Sequence, residues 1–162
     1  MELDTLKDLY VGEIKDLYSA EKQLVRALPK MAKAAKDRQL QDAFRAHLRE
    51  TEQHVARLER ICQELGVSPR GKKCVGMEGL IEEGNEMIKE AKPDAIDAGL
   101  ISKAQHVEHY EMAGYGVVRT YARQLGFENQ AELLQQTLDE EGRADQLLTE
   151  LAESGINVEA QV

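Results

Sequence analysis

Several acids and one histidine stand where helical periodicity demands apolar side chains, and their types are those that ligate hard divalent cations. Glu21 is flanked by Ile14, Leu17, Leu24 and Leu28. At roughly 100° per residue, all four project within about 60° of its direction, so its carboxylate points inward. His54 shares a stripe with His47, Glu50, Thr51, Leu58 and Ile61. Glu111 lies among Ala104, Val107, Tyr115, Val118 and Ala122, with Glu108 one turn before it. Glu141 is flanked by Leu134, Thr137, Leu138 and Leu148, and Asp145 follows at i+4. An unpaired buried carboxylate costs roughly several kcal/mol. Four in one interior would cancel most of a domain's net stability. Divalent iron or manganese removes that cost by taking carboxylate oxygen and imidazole nitrogen as ligands. The bland alternatives are carboxylates paired with buried tyrosine or arginine, and a hydrogen-bonded core histidine.

These residues are carried by segments of helical periodicity. One runs from about Leu3 to Ala35, where apolar spacing continues past Pro29, which is expected to bend the helix without ending it. A second runs from Arg38 to Leu65, with Asp37 as N-cap and Gly66 as the residue that ends it. A third runs from Ala95 to Leu125, and a fourth from the capping-box-like Asn129-Gln-Ala-Glu132 to about Glu153. The first and second, and the third and fourth, are joined by only a few residues, so each pair is an antiparallel hairpin. Between the hairpins, Gly66 to Asp94 is long enough to travel the length of a bundle and to carry a short helix from Met77 to Ala91. Two hairpins and one long crossover define an all-α, ferritin-like four-helix bundle. It is expected as a single domain over residues 1–162.

The halves of the chain resemble one another. Tyr18-x-x-Glu21 followed by Glu50-x-x-x-His54 parallels Glu108-x-x-Glu111 followed by Glu141-x-x-x-Asp145. Hairpins related by a pseudo-twofold would set two metal ions side by side. Di-iron and di-manganese bundles take one glutamate from each of two helices and a Glu-x-x-His pair from each of the others. Here Thr51 stands three before His54 and Ala144 three after Glu141. An i, i+4 pair still shares a helix face, and Glu52 or His47 could serve where that geometry fails. Otherwise His47, His106 and His109 are expected to be structural or exposed, and runs such as Glu82-Glu83 and Asp139-Glu140 to be solvated. Tyr18 or Tyr115 is a candidate hydrogen-bond donor to a ligand carboxylate.

Tyr-Ser-Ala-Glu21-Lys-Gln-Leu, His47-Leu-Arg-Glu50-Thr-Glu-Gln-His54, Gln105-His-Val-Glu108-His-Tyr-Glu111-Met-Ala-Gly-Tyr and Leu138-Asp-Glu-Glu141 together resemble the YciE/YciF family of bacterial stress proteins. So does the crossover stretch Met77-Glu-Gly-Leu-Ile-Glu-Glu-Gly, and the resemblance runs from Leu3 to about Leu151. It implies a ferritin-like or rubrerythrin-like fold, a homodimer, a dinuclear metal centre and a part in stress responses. It implies no particular reaction.

Composition bounds the function classes. The net charge of -9 and 31% charged residues disfavour nucleic acid as a partner, for which Arg70-Gly-Lys-Lys is the only compact basic patch. No stretch approaches the roughly 18 apolar residues of a membrane span. Met1-Glu2-Leu3-Asp4 does not read as a secretory signal. Cys62 and Cys74 form no CxxC pair, and Cys62 falls on an apolar stripe as a buried thiol. A cytoplasmic protein is expected. Two functions remain open: an oxidoreductase acting on dioxygen or peroxide through two metal ions, and a metal-binding or structural stress protein without catalysis.

Overall fold

The computed structural model describes residues 3–161; Met1, Glu2 and Val162, included in the domain and N-terminal expectations above, lie outside the described residues. Helix α1 spans Leu6–Ala34 and runs through Pro29. It starts later than Leu3 because Thr5 and Asp8 form a capping box. The Thr5 N–H donates to Asp8 at 2.9 Å, and the Asp8 N–H donates to the Thr5 hydroxyl at 3.1 Å. Helix α2 spans Arg38–Leu65, and its Asp37 cap accepts from the Leu40 N–H at 2.8 Å. Gly66 ends α2 with φ 67, a left-handed conformation that glycine adopts without a Cβ clash.

The crossover carries α3, Val75–Glu90, capped by the sulfur of Cys74. Helix α4 spans Ile96–Gln124 and α5 spans Glu128–Leu151, followed by a π-turn at Ala152–Ile156 and a single turn, α6, at Asn157–Glu159. The capping box expected at Asn129–Glu132 does not form. Gly126, with φ 76, reverses the chain, and the Phe127 N–H closes onto the Ala122 carbonyl at 2.8 Å. Helix α5 therefore begins earlier, with Phe127 at its N-cap and Asn129 already in the first turn.

Helix α1 packs on α2 and α4, and α5 packs on α4 and α2, closing a four-sided bundle; α3 lies against α4 and α1. This is the ferritin-like arrangement, two hairpins and a helical crossover, with no strand among the described residues. The hairpins are tied at one end by Asp97, whose carboxylate accepts the backbone N–H groups of Lys36 and Asp37 at 2.7 and 2.8 Å. No described helix is long and apolar enough to cross a membrane.

Two apolar clusters fill the bundle. One, at the Asp97 end, is built on Leu24, Leu28, Leu40, Phe44, Leu100 and Met77. The other, at the far end, is built on Tyr10, Ile14, Leu58, Ile61, Val118 and Leu134. Cys62 belongs to the second cluster as a free, buried thiol. Between the clusters lies a layer of buried acids and imidazoles. Helices α1 and α4 come close there because Gly114 has no side chain: a Cβ on it would lie 2.8 Å from the Leu17 Cδ2.

Candidate metal centre

Every helix of the four-sided bundle contributes to this layer. Glu21 comes from α1, His47 and His54 from α2, Glu108 and Glu111 from α4, and Glu141 from α5. Ligand atoms of His47, Glu108, Glu111 and Glu141 lie within 4.8 Å of one another, and so do those of Glu21, His54 and Glu141. Glu141 belongs to both groups. All six side chains are buried, and Glu21, His54, Glu111 and Glu141 are wholly so.

The contacts are close but poorly aligned for hydrogen bonding. His54 Nδ1 lies 2.9 Å from Glu141 and 3.2 Å from Glu21, while His47 Nε2 lies 3.1 Å from Glu108 and 3.5 Å from Glu141. Among the described residues, nine buried side-chain nitrogen or oxygen atoms lack a hydrogen-bond partner, and eight belong to these six residues. Orphaned polar atoms are rare in folded proteins and costly in a dry interior. Here they converge from four helices, as ligand atoms around cations do. The donor set, carboxylate oxygens with two imidazole nitrogens, suits iron or manganese.

Each imidazole is oriented from behind. His54 Nε2 donates to Glu140 at 2.9 Å, leaving Nδ1 for the centre. Glu140 is gripped by the Arg57 guanidinium, whose second nitrogen donates to it at 3.0 Å, and Arg57 also donates to Thr137 at 2.9 Å. His47 Nδ1 donates to Glu50 at 3.4 Å, leaving Nε2 for the centre. A carboxylate behind a metal-bound histidine fixes its tautomer and ring plane. Tyr115, wholly buried, donates its hydroxyl to Glu21 in a short bond.

The electrostatics record the crowding. Burial, then repulsion from Glu21, pushes the Glu111 carboxyl well above the ordinary range. Burial and Glu108 push Glu141 up to about 7. Burial works to lower both imidazoles, yet the adjacent Glu141 and Glu21 carboxylates hold His54 up at about 10, and Glu108 holds His47 well above its usual value. Without cations the centre keeps protons that its carboxylates would otherwise have shed.

Of the residues expected from the sequence, Glu21, His54, Glu108, Glu111 and Glu141 are brought together, while Glu50 and Asp145 are not. Glu50 sits on the flank of α2, its side chain 46% exposed, on the far side of the His47 ring. Asp145 turns toward α4, where its carboxylate accepts from Gln105 at 3.2 Å and meets His109 at 3.2 Å. One expectation, on Glu140, is corrected. His47, expected to be structural or exposed unless drawn into the centre, is buried with its Nε2 among the clustered carboxylates, two turns before His54 on the same face. Glu140 is not a solvated acid, because its helix face meets Arg57 and His54 of α2. Tyr115, not Tyr18, reaches a carboxylate of the centre; Tyr18 donates to Glu59 at 3.0 Å.

The side chains that could ligate, four glutamates and two histidines, are the same in type and number as those of di-iron and di-manganese bundles, differently distributed. The glutamate missing at Thr51 is matched by Glu108, and the histidine missing at Ala144 by His47.

Comparison with known proteins gives consistent matches. The family described as a domain of unknown function (DUF892) matches residues 5–161. The Escherichia coli protein YciF is 45% identical over 163 residues, spanning 99% of this chain and 98% of its own. The crystal structure of that stress protein superposes with a TM-score of 0.91 at 46% identity, covering 96% of this chain and 99% of the other. YcfI from Rhodopseudomonas palustris superposes with a TM-score of 0.88 at 36% identity, covering 91% of this chain and 95% of the other.

Proposed function

This chain belongs to the DUF892 family, and from that premise we propose that it holds two iron or manganese ions and performs two-electron redox chemistry on dioxygen or peroxide during stress. The single observation that carries the reading is the set of eight unpartnered buried atoms converging from four helices. Charge supports it as well: four carboxylates, with neutral imidazoles, balance two divalent ions (−4 + 4 = 0). Once bound, such ions supply Lewis acidity and reversible changes of oxidation state.

The chain's own residues do the rest. Glu141 spans the two positions, Glu140 and Glu50 orient the imidazoles, and Tyr115 holds Glu21 in place. The apolar clusters on either side exclude bulk water. Similarity to a protein described as a stress protein supports the physiological setting. The family resemblance in the sequence adds a homodimer to the proposal, and the composition adds a cytoplasmic location. A second reading, a metal-holding or structural bundle without turnover, has one observation on its side: Thr51 and Ala144 stand where redox-active bundles carry Glu and His.

The test begins with metal analysis of protein purified after supplementation. Close to two ions per chain is expected, and below about 0.2 per chain the site is not a metal site. Anaerobic ferrous loading followed by oxygen should then develop ferric absorption in the near ultraviolet. A fully loaded sample that shows no redox change leaves the second reading standing.

A further inference from the structure

A cavity of about 120 Å³ opens between α2 and α5, with room for several waters. The buried side chains of His47 and Glu108 form its floor, and Phe44 and Ala144 line its walls. Leu147, 42% exposed, stands with Glu50 and Arg143 at its mouth. Ala144 is the position three after Glu141, where a Glu-x-x-His pair would carry its imidazole. Its methyl group leaves that volume empty. On the other side of Glu141, the side chains of Glu21, His54, Tyr115 and Thr51 are wholly buried.

We infer that this cavity is the port of the centre and serves only the His47–Glu108 half, so that cations and water-sized ligands exchange there while the Glu21–His54 half is closed. The inference rests on the dinuclear reading above. Charge favours the assignment on balance: Glu108 and Glu50 give the passage two carboxylates against one guanidinium, Arg143 at the mouth, and the apolar walls between them offer a cation no competing site. The ion bound by His47, Glu108 and Glu111 would also be the one that meets solvent.

The test loads the chain with manganous ion alone and follows its release to excess chelator, together with the relaxation of solvent protons. Release should be biphasic, one ion per phase. Ala144→Leu, which fills the cavity without replacing any ligand, should slow the fast phase about tenfold, leave the slow phase unchanged and lower the solvent-proton relaxation. Leu147→Ala, which widens the mouth, should accelerate the fast phase, and it carries the test should Ala144→Leu fail to fold. Release of both ions in one phase, or a fast phase unmoved by the variants, overturns the port and leaves the dinuclear reading intact. A chain that takes up no manganese overturns both.

Discussion

Around the shared Glu141, the Glu21–His54 half of the centre is held from every side, whereas the His47–Glu108–Glu111 half backs onto a cavity. Both halves orient an imidazole with a carboxylate, but the two devices differ in stiffness. Glu140, behind His54, is mostly buried and pinned by Arg57, which holds its carboxyl below the ordinary range although burial works against that. Glu50, behind His47, is nearly half exposed, and its only hydrogen bond to the centre is the 3.4 Å contact with His47. The difference teaches that one fold can hold one imidazole firmly and leave the other loosely backed, by changing what lies behind the rings and not the rings themselves. Under the proposal above, that would fix one ion and leave the other exchangeable.

The strongest way to break the comparison is to remove what the halves share. Glu141→Gln keeps the volume but halves the oxygen donors at the junction, so both ions should be lost and elemental analysis should read near zero. Loss of only one ion would show that Glu141 is not shared.

The next largest effect is on stability, and it runs against intuition. Glu111 is wholly buried with both oxygens unpartnered in the metal-free chain. A buried carboxyl left without a hydrogen-bond partner costs roughly 1–3 kcal/mol, and an apolar side chain of similar volume does not carry that cost. Glu111→Leu should therefore raise the melting temperature in chelator while lowering metal content. A drop in melting temperature in chelator would mean that Glu111 is satisfied by groups other than metal.

The carboxylates behind the imidazoles sharpen the contrast. Removing the partner of a metal-bound histidine costs about 10–100-fold in affinity. Glu140→Gln should fall within that range and weaken only the slowly released ion, while Glu50→Gln, at the exposed site, should weaken the other by less than about tenfold. Calorimetric titration with manganese resolves the two events. Equal losses would erase the distinction between the halves.

The smallest effect is a divergence with pH. Glu141, raised to about 7, and His54, raised to about 10, both bind protons more tightly in the metal-free fold than in the unfolded chain. Their contribution to metal-free stability is full below the unfolded values and is lost as pH rises through the folded ones. Metal binding needs the same groups deprotonated and should strengthen over the same window. Melting curves between about pH 5 and 9 should show the chelator-treated protein losing stability relative to the manganese-loaded one. Parallel curves would contradict a shared set of titrating ligands.

Much of this was legible in the sequence, because helical periodicity fixes the direction of each side chain. Glu21, Glu111 and Glu141 could only point inward, and the short joins at residues 35–37 and 125–127 could only make hairpins. Asp37 and Gly66 announced the limits of α2. What periodicity could not resolve was the flank of a stripe. Glu50 is roughly 80° from the centre of the buried face of α2, near enough to count as inward and far enough to end behind His47. Asp145 was undone by partners from α4, Gln105 and His109, which no local pattern announces. Glu140 was misjudged for the same reason, since its place depends on Arg57 across the bundle. The capping box at Thr5–Asp8 starts α1 later than the apolar stripe alone placed it, and the tight turn at Gly126–Phe127 displaced a plausible cap at Asn129.

The most direct test is anomalous diffraction from crystals grown with manganous or ferrous salt. The account predicts two peaks flanking Glu141, one within ligand distance of Glu21 and His54, the other within reach of His47, Glu108 and Glu111. A centre without anomalous density, its imidazoles hydrogen-bonded to those same glutamates, would contradict it.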